Sequence, residues 1–113
     1  MPISNKNAEE RLDAVFGALS DRTRRELLRR LAGGSATVSE LARPFRMSLP
    51  AVSKHLRVLE RAGLVRRQVE GRSHHFWVIS EPLADAESWI AYYRRFWEET
   101  LDSFSEHLSR HPR

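Results

Sequence analysis

Between Ser48 and Arg61 the sequence places Pro50, Ser53, Lys54, Arg57 and Arg61 at spacings that suit one side of a helix, with Ser48 and Leu49 at its start. At about 100° per residue, Pro50, Ser53, Lys54, Arg57 and Arg61 fall opposite Val52, Leu56 and Leu59, with His55 beside the apolar set. The polar side is basic and free of acids except at its flank, where Glu60 lies. Short side chains near a helix start allow close approach to base edges, and cations further along bind phosphate or guanine. Ser48, Leu49, Ser53 and Lys54 are therefore the candidates for base contact, with Arg57 at the bases or on the backbone. This is the chemistry of reading duplex DNA.

Other chemistries find less support. His107 and His111 are four apart, as two ligands on one helix face would be. His111, however, precedes Pro112, and no nearby carboxylate completes a site without crossing to another subunit. His74 and His75 are neighbours in a strand-like run and point to opposite faces. His74 is assigned to the DNA-contacting set, and no metal is expected. The absence of cysteine removes disulfides, thiolate ligands, thiol redox sensing and cysteine nucleophiles together. There is no glycine-rich phosphate loop and no nucleophile motif, so neither an enzyme nor a cofactor is expected.

The elements that must position the basic side follow from periodicity. A helical pattern runs over 8–19 with Leu12, Val15, Phe16 and Leu19 on one stripe. Ser20 or Asp21 caps a second helix carrying Leu27, Leu28 and Leu31, which Gly33-Gly34 ends. Thr37-Val38-Ser39-Glu40 reads as a capping box opening a short helix with Val38, Leu41, Ala42 and Phe45. Arg46-Met47-Ser48 then makes a connection of three to four residues, Ser48 caps the next helix, Pro50 lies in its first turn, and Gly63 stops it. The reading is a helix-turn-helix over 38–62. Two β-like runs, 64–69 and 74–79, make a hairpin whose tip, Glu70-Gly71-Arg72-Ser73, is basic. Arg67 and Arg72 on this wing are candidates for phosphate or minor-groove contact. Pro82 opens a helix ending near Ser109.

Charge is divided along the chain. Residues 43–72 carry eight arginines and lysines against two glutamates, whereas residues 81–109 carry seven acids against two arginines. The first segment suits a polyanion and the second does not. No apolar run approaches the ~20 residues of a bilayer span. Residues 1–10 lack the basic-then-apolar pattern of a secretory leader. No membrane partner is expected, and the expected compartment is the cytoplasm. At 113 residues the chain is one domain, 1–113, able to bury one modest core.

The last helix sets the oligomer. Leu83, Ala86, Ile90, Tyr93, Trp97, Leu101, Phe104 and Leu108 recur at spacings of three and four. The helix over 82–109 is about 40 Å long at ~1.5 Å per residue, more than the remaining body can cover. A homodimer is expected, formed by helices 8–19 and 82–109, with Leu12, Phe16, Ile90, Tyr93, Trp97, Leu101 and Phe104 at its interface. The rings of Trp89, Tyr92, Tyr93, Phe96 and Trp97 suit packing better than a ligand pocket. No residue pattern identifies a small-molecule effector.

The runs Ala18 to Leu31, Ser39-Glu40-Leu41-Ala42, Ala51 to Val65 and Gly71-Arg72 together resemble the ArsR family of bacterial transcriptional repressors. Val52-Ser53-Lys54-His55-Leu56, leading to Ala62-Gly63-Leu64-Val65, is the most specific piece. The resemblance covers nearly the whole chain. It implies a mainly helical winged helix-turn-helix with a small hairpin, a homodimer on an inverted-repeat DNA operator, and repression. Two departures stand out: Asp21 is followed by Arg22 where the family often has proline, and the metal-binding cysteines are missing. The Asp-x-His and His-x-x-Glu pairs of other members are also missing, since Asp85-Ala86-Glu87 and Asp102-Ser103-Phe104 hold no histidine. Metal sensing is therefore not implied. The alternative is a winged helix that binds protein instead of DNA, which would show an acidic or apolar face where Lys54, Arg57 and Arg61 stand. An RNA-binding form would show exposed stacking aromatics there.

Overall fold

The computed structural model describes residues 6–111. The elements are α1 (Lys6–Leu19), α2 (Arg22–Leu31), β1 (Ala36–Thr37), α3 (Val38–Ala42), α4 (Leu49–Arg61), β2 (Val65–Glu70), β3 (Ser73–Val78) and α5 (Glu81–Arg110). Residues 1–5 and 112–113 of the expected single domain lie outside the described residues. The architecture is the expected helical winged helix-turn-helix.

Local chemistry sets the boundaries. Asp21 is the cap of α2, its carboxylate accepting from the Arg24 N–H at 3.0 Å. Thr37 and Glu40 form the capping box reciprocally, at 3.2 and 3.0 Å. Ser48 Oγ accepts from the Ala51 N–H at 3.2 Å to open α4. The end of α4 is a Schellman turn, in which Leu64 N–H reaches the Leu59 carbonyl and Gly63 N–H reaches that of Glu60, both at 3.0 Å. Gly63 has φ +77°, a conformation that glycine adopts without strain.

Three expectations are corrected. The connection within the helix-turn-helix is longer than three to four residues, because α3 stops at Ala42 and α4 starts at Leu49. Phe45 consequently lies past the helix. Pro44 is the cause: it has no N–H to give the Glu40 carbonyl, and Phe45 N–H turns to the Ala42 carbonyl at 3.0 Å. The wing is not a lone hairpin. Ala36 and Thr37 pair with Phe76 and His75, making an antiparallel sheet of order β1-β3-β2. The hairpin is also shifted by about a residue, with Glu70 facing Ser73 and the turn reduced to Gly71 and Arg72. Gly71 (φ +61°) holds the first turn position, as a two-residue II′ hairpin requires.

One core joins these parts. Val15 and Ala18 of α1, Leu27, Leu28 and Leu31 of α2, Leu41 of α3, and Val52, Leu56 and Leu59 of α4 pack with Leu64, Val65, Phe76 and Ala86. Among the described residues no polar or charged side chain is buried. Of the described residues of α5 only Ala86 is buried, so the helix leaves the body and the molecule measures 70 × 34 × 21 Å.

The carbonyls that α3 leaves unpaired are met from α2. Arg30 Nη1 donates to the Glu40 and Leu41 carbonyls, both at 3.0 Å. Replacing it by methionine keeps the aliphatic stem but leaves these acceptors to water. Arg30→Met is expected to lose about 1 kcal/mol, the lower end of the range for a charged donor withdrawn from one exposed and one partly buried acceptor. Urea unfolding measures this, and a midpoint equal to the parent's would show the bond to be replaceable.

Candidate nucleic-acid interface

The exposed basic surface is built on α4, whose two sides meet different surroundings. Val52, Leu56 and Leu59 are at most 1% exposed, which fixes the rotation of the helix about its axis. Lys54, Arg57 and Arg61 then stand exposed along the other side, with Pro50 at the first turn. Ser53 is half-buried at the margin of this face. Leu49 is half exposed at the very start of the helix, an apolar side chain with no core to enter. Ser48 is exposed but already engaged as the cap.

The wing brings a second set. Arg72 is exposed at the turn, and His74 is half-buried on β3 opposite Val69. Arg67 is exposed but leans back on α4, its Nε 3.8 Å from Glu60 Oε2. The flanking acid of α4 is thus partly neutralised by the wing rather than facing outward alone. Sequence reasoning left Arg43, Arg46 and Arg66 out of the contact set. All three are exposed, and Arg43 and Arg46 sit on the connection that enters α4. Their signal was present in the run of basic residues beginning at Arg43. Among the described residues, Arg43, Arg46, Lys54, Arg57, Arg61, Arg66 and Arg72 make no hydrogen bond or ion pair within the protomer.

Behind α4, His55 is held by α2. Its Nδ1 lies 3.4 Å from Arg24 Nη1 and 3.8 Å from Asp21 Oδ2. The same Arg24 donates from Nε to the Ala18 carbonyl at 2.7 Å and from Nη2 to the Gly17 carbonyl at 3.1 Å. Arg25 adds a bond from Nη1 to the Leu19 carbonyl at 2.8 Å. A single guanidinium therefore ties the end of α1 to the middle of α4. His55 is the half-buried, internally bonded residue that its place on the helix suggested.

The expected interface residues of α5 are exposed in the protomer, and those of α1 are half-buried. Ile90, Tyr93, Trp97, Leu101 and Phe104 are 44–59% exposed, while Leu12 and Phe16 are half-buried, the Phe16 ring 5.5 Å from that of Trp89. The α5 rings touch one another, Trp89 and Tyr93 at 4.5 Å between centroids, and Tyr92 and Phe96 line only a shallow, open cleft of about 250 Å³. A cleft of about 540 Å³ lies elsewhere, between α1, the end of α4 and the start of α5, with Leu12, Arg61, Gly63 and Pro82 on its walls. His107 and His111 stack at 4.4 Å. Among the described residues no three His, Cys, Asp or Glu side chains are grouped to hold a metal ion. No helix of the described residues is long and apolar enough to cross a membrane.

Comparison with known proteins agrees with this geometry. Residues 19–68 match a family described as a helix-turn-helix domain. The chain is 33% identical to the transcriptional repressor SdpR of Bacillus subtilis over 70% of its own length and 88% of that protein. It resembles the crystal structure of an ArsR family transcriptional regulator at a TM-score of 0.76 and 44% identity, over 80% of this chain and 93% of that one. It is also similar to a domain of Mycobacterium bovis described as homodimeric, winged helix-turn-helix and DNA-binding, a possible ArsR-family regulator. That likeness has a TM-score of 0.61 and 26% identity, over 98% of this chain and 95% of the other.

The contact between Asp21, Arg24 and His55 has a consequence at low pH. The Arg24 backbone N–H, with smaller help from the charges of His55 and Arg24, holds the Asp21 carboxyl below its usual range. Its contribution to stability is present above the unfolded value of about 3.9 and is lost as pH falls through the lower folded value. Asp21→Asn, which still caps a helix, is expected to flatten the fall of Tm below about pH 4. Melting curves across that window check this; an unchanged slope would assign the acid sensitivity elsewhere.

Proposed function

Since this chain belongs to the ArsR family of winged helix-turn-helix transcriptional regulators, we propose that it is a repressor that binds an inverted-repeat operator as a homodimer. In this reading each α4 enters a major groove. Ser53, Lys54 and Leu49 lie toward the bases, and Arg57 and Arg61 at bases or phosphates. Arg72 and Arg67, with His74, bring the wing to the adjacent backbone or minor groove. Arg43 and Arg46 extend the phosphate contacts at the other end of α4.

The observation that carries the proposal is the rotation of α4. Its apolar side is locked in the core, so Lys54, Arg57 and Arg61 have nowhere to go but outward together. With them, Arg43, Arg46, Arg66 and Arg72 are exposed and make no hydrogen bond or ion pair among the described residues, which suits binding driven by phosphate neutralisation and counterion release. Names of similar proteins support the regulatory role: one is called a repressor and another a homodimeric DNA-binding domain. Such a protein works on DNA in the cytoplasm. No effector is assigned to it, and without thiolates or a histidine–carboxylate set, metal sensing of the family's cysteine type has no ligands here.

Gel-shift titration on the region upstream of the chain's own gene tests the reading. Lys54→Ala with Arg57→Ala removes two exposed cations and leaves the core intact. It is expected to weaken binding at least about tenfold and to reduce the slope of log affinity against log salt by about one to two. A double variant that binds as the parent does would place the docking face elsewhere. Addition of a chelator is expected to leave the parent's affinity unchanged, and a chelator-sensitive shift would restore a metal to the account.

A further inference from the structure

Outside α5, two large apolar side chains of the described residues stand exposed: Leu49 at the start of α4 and Val69 on β2. Leu49 is 50% exposed. Its apolar neighbours in the connection, Phe45 and Met47, pack against the core, as do Val58 and Ala62 further along α4, but Leu49 does not. A lone exposed leucine is ordinary on a protein surface; the position of this one is not. Resting on the reading above in which α4 enters the major groove, we propose that Leu49 reads the C5-methyl of a thymine and so selects a T·A pair at one position of each half-site.

Geometry brings Leu49 forward. It is the first residue of α4, and helical side chains lean toward the N-terminus. Its side chain therefore overhangs the end of the helix that a helix-turn-helix presents to base edges. Arg43 and Arg46 precede it and Lys54 follows one turn later, all exposed. Phosphate contacts by such cations hold the helix start in the groove without choosing a sequence.

Chemistry then chooses the base. The side chains of the first turn, Leu49, Pro50 and Ala51, carry no hydrogen-bond donor or acceptor. Ser48 Oγ is already engaged, accepting from the Ala51 N–H at 3.2 Å. Of the four bases, thymine alone presents a methyl group in the major groove. Leucine laid over the amino group of cytosine or the acceptors of guanine strips their water and returns no bond. Laid over the thymine methyl, it removes apolar surface of both partners from water. One buried methyl is worth about fourfold in affinity, and roughly fifteenfold over two half-sites.

Deoxyuridine isolates this contact, because it lacks the methyl and keeps thymine's pairing and O4. The probe is the tightest duplex that the parent selects from a random pool, with each thymine replaced singly by deoxyuridine in gel-shift titrations. The parent is expected to lose about fourfold at one position of each half-site. Leu49→Ala is expected to bind the unmodified duplex more weakly, to lose nothing further at that position, and to keep the parent's response at every other thymine. Its Tm is expected to match the parent's, since the side chain leaves no core contact behind. A parent indifferent to every deoxyuridine, or equal profiles for parent and Leu49→Ala, would overturn the reading of thymine by Leu49. The docking reading fails separately: Lys54→Ala with Arg57→Ala, binding the same duplex as the parent does, would take α4 out of the groove altogether.

Discussion

A single helix with two incompatible sides constrains this molecule throughout. α4 must hold Val52, Leu56 and Leu59 in a dry core and Lys54, Arg57 and Arg61 in water, thirteen residues serving both. Burying three branched apolar side chains contributes several kcal/mol, about 1.5–3 each, far more than rearranging exposed cations could recover. The direction of the basic face is thus a by-product of core packing. The caps at Ser48 and Gly63 then fix where the face begins and ends.

The many arginines divide into two populations with different physical roles. Arg24, Arg25 and Arg30 donate to the carbonyls left open at the ends of α1 and α3. Several donors in a planar fork suit that task, because the C-terminal end of a helix presents several acceptors at once. Arg29 pairs with Glu26 on the surface of α2, a contact of small energetic weight. The second population, on α4, its leading connection and the wing, makes no bond to a helix carbonyl among the described residues, and of it only Arg67 has an ion-pair partner, Glu60. Counting basic residues along the chain mixes the two, and hydrogen bonding separates them.

Much of the fold was legible because its signals are local. Thr37 with Glu40, Ser48 with Pro50, and the glycine at 63 act within one turn of chain. What escaped was either too short or too distant. β1 is two residues long, beneath any alternation, and its Thr37 was already claimed as a cap. Pro44 was visible, yet its effect on the length of the connection depends on where the Glu40 and Leu41 carbonyls find replacement donors, and Arg30 lies ten or more residues away. The approach of Arg24 to His55 joins positions 31 apart. The basic face could be drawn on a helical wheel, but the engagement of Arg67 by Glu60 needed the wing's actual position.

Reading two half-sites requires that the relation between the two α4 helices be stiff, since a loosely hinged pair would gain little from the second contact. Within the protomer, α1 and α5 are connected to α4 by two routes. On one side Gly63, at the end of α4, abuts Pro82 at the start of α5, where an added Cβ would lie 3.7 Å from the Pro82 ring. On the other, Arg24 grips the last carbonyls of α1 and meets His55 in the middle of α4. Supported near its middle and at its end, α4 cannot rotate without disturbing either a guanidinium with several acceptors or a close apolar contact. The orientation of the basic side of α4 is thus set jointly by α1, through Arg24, and by the start of α5, through Pro82.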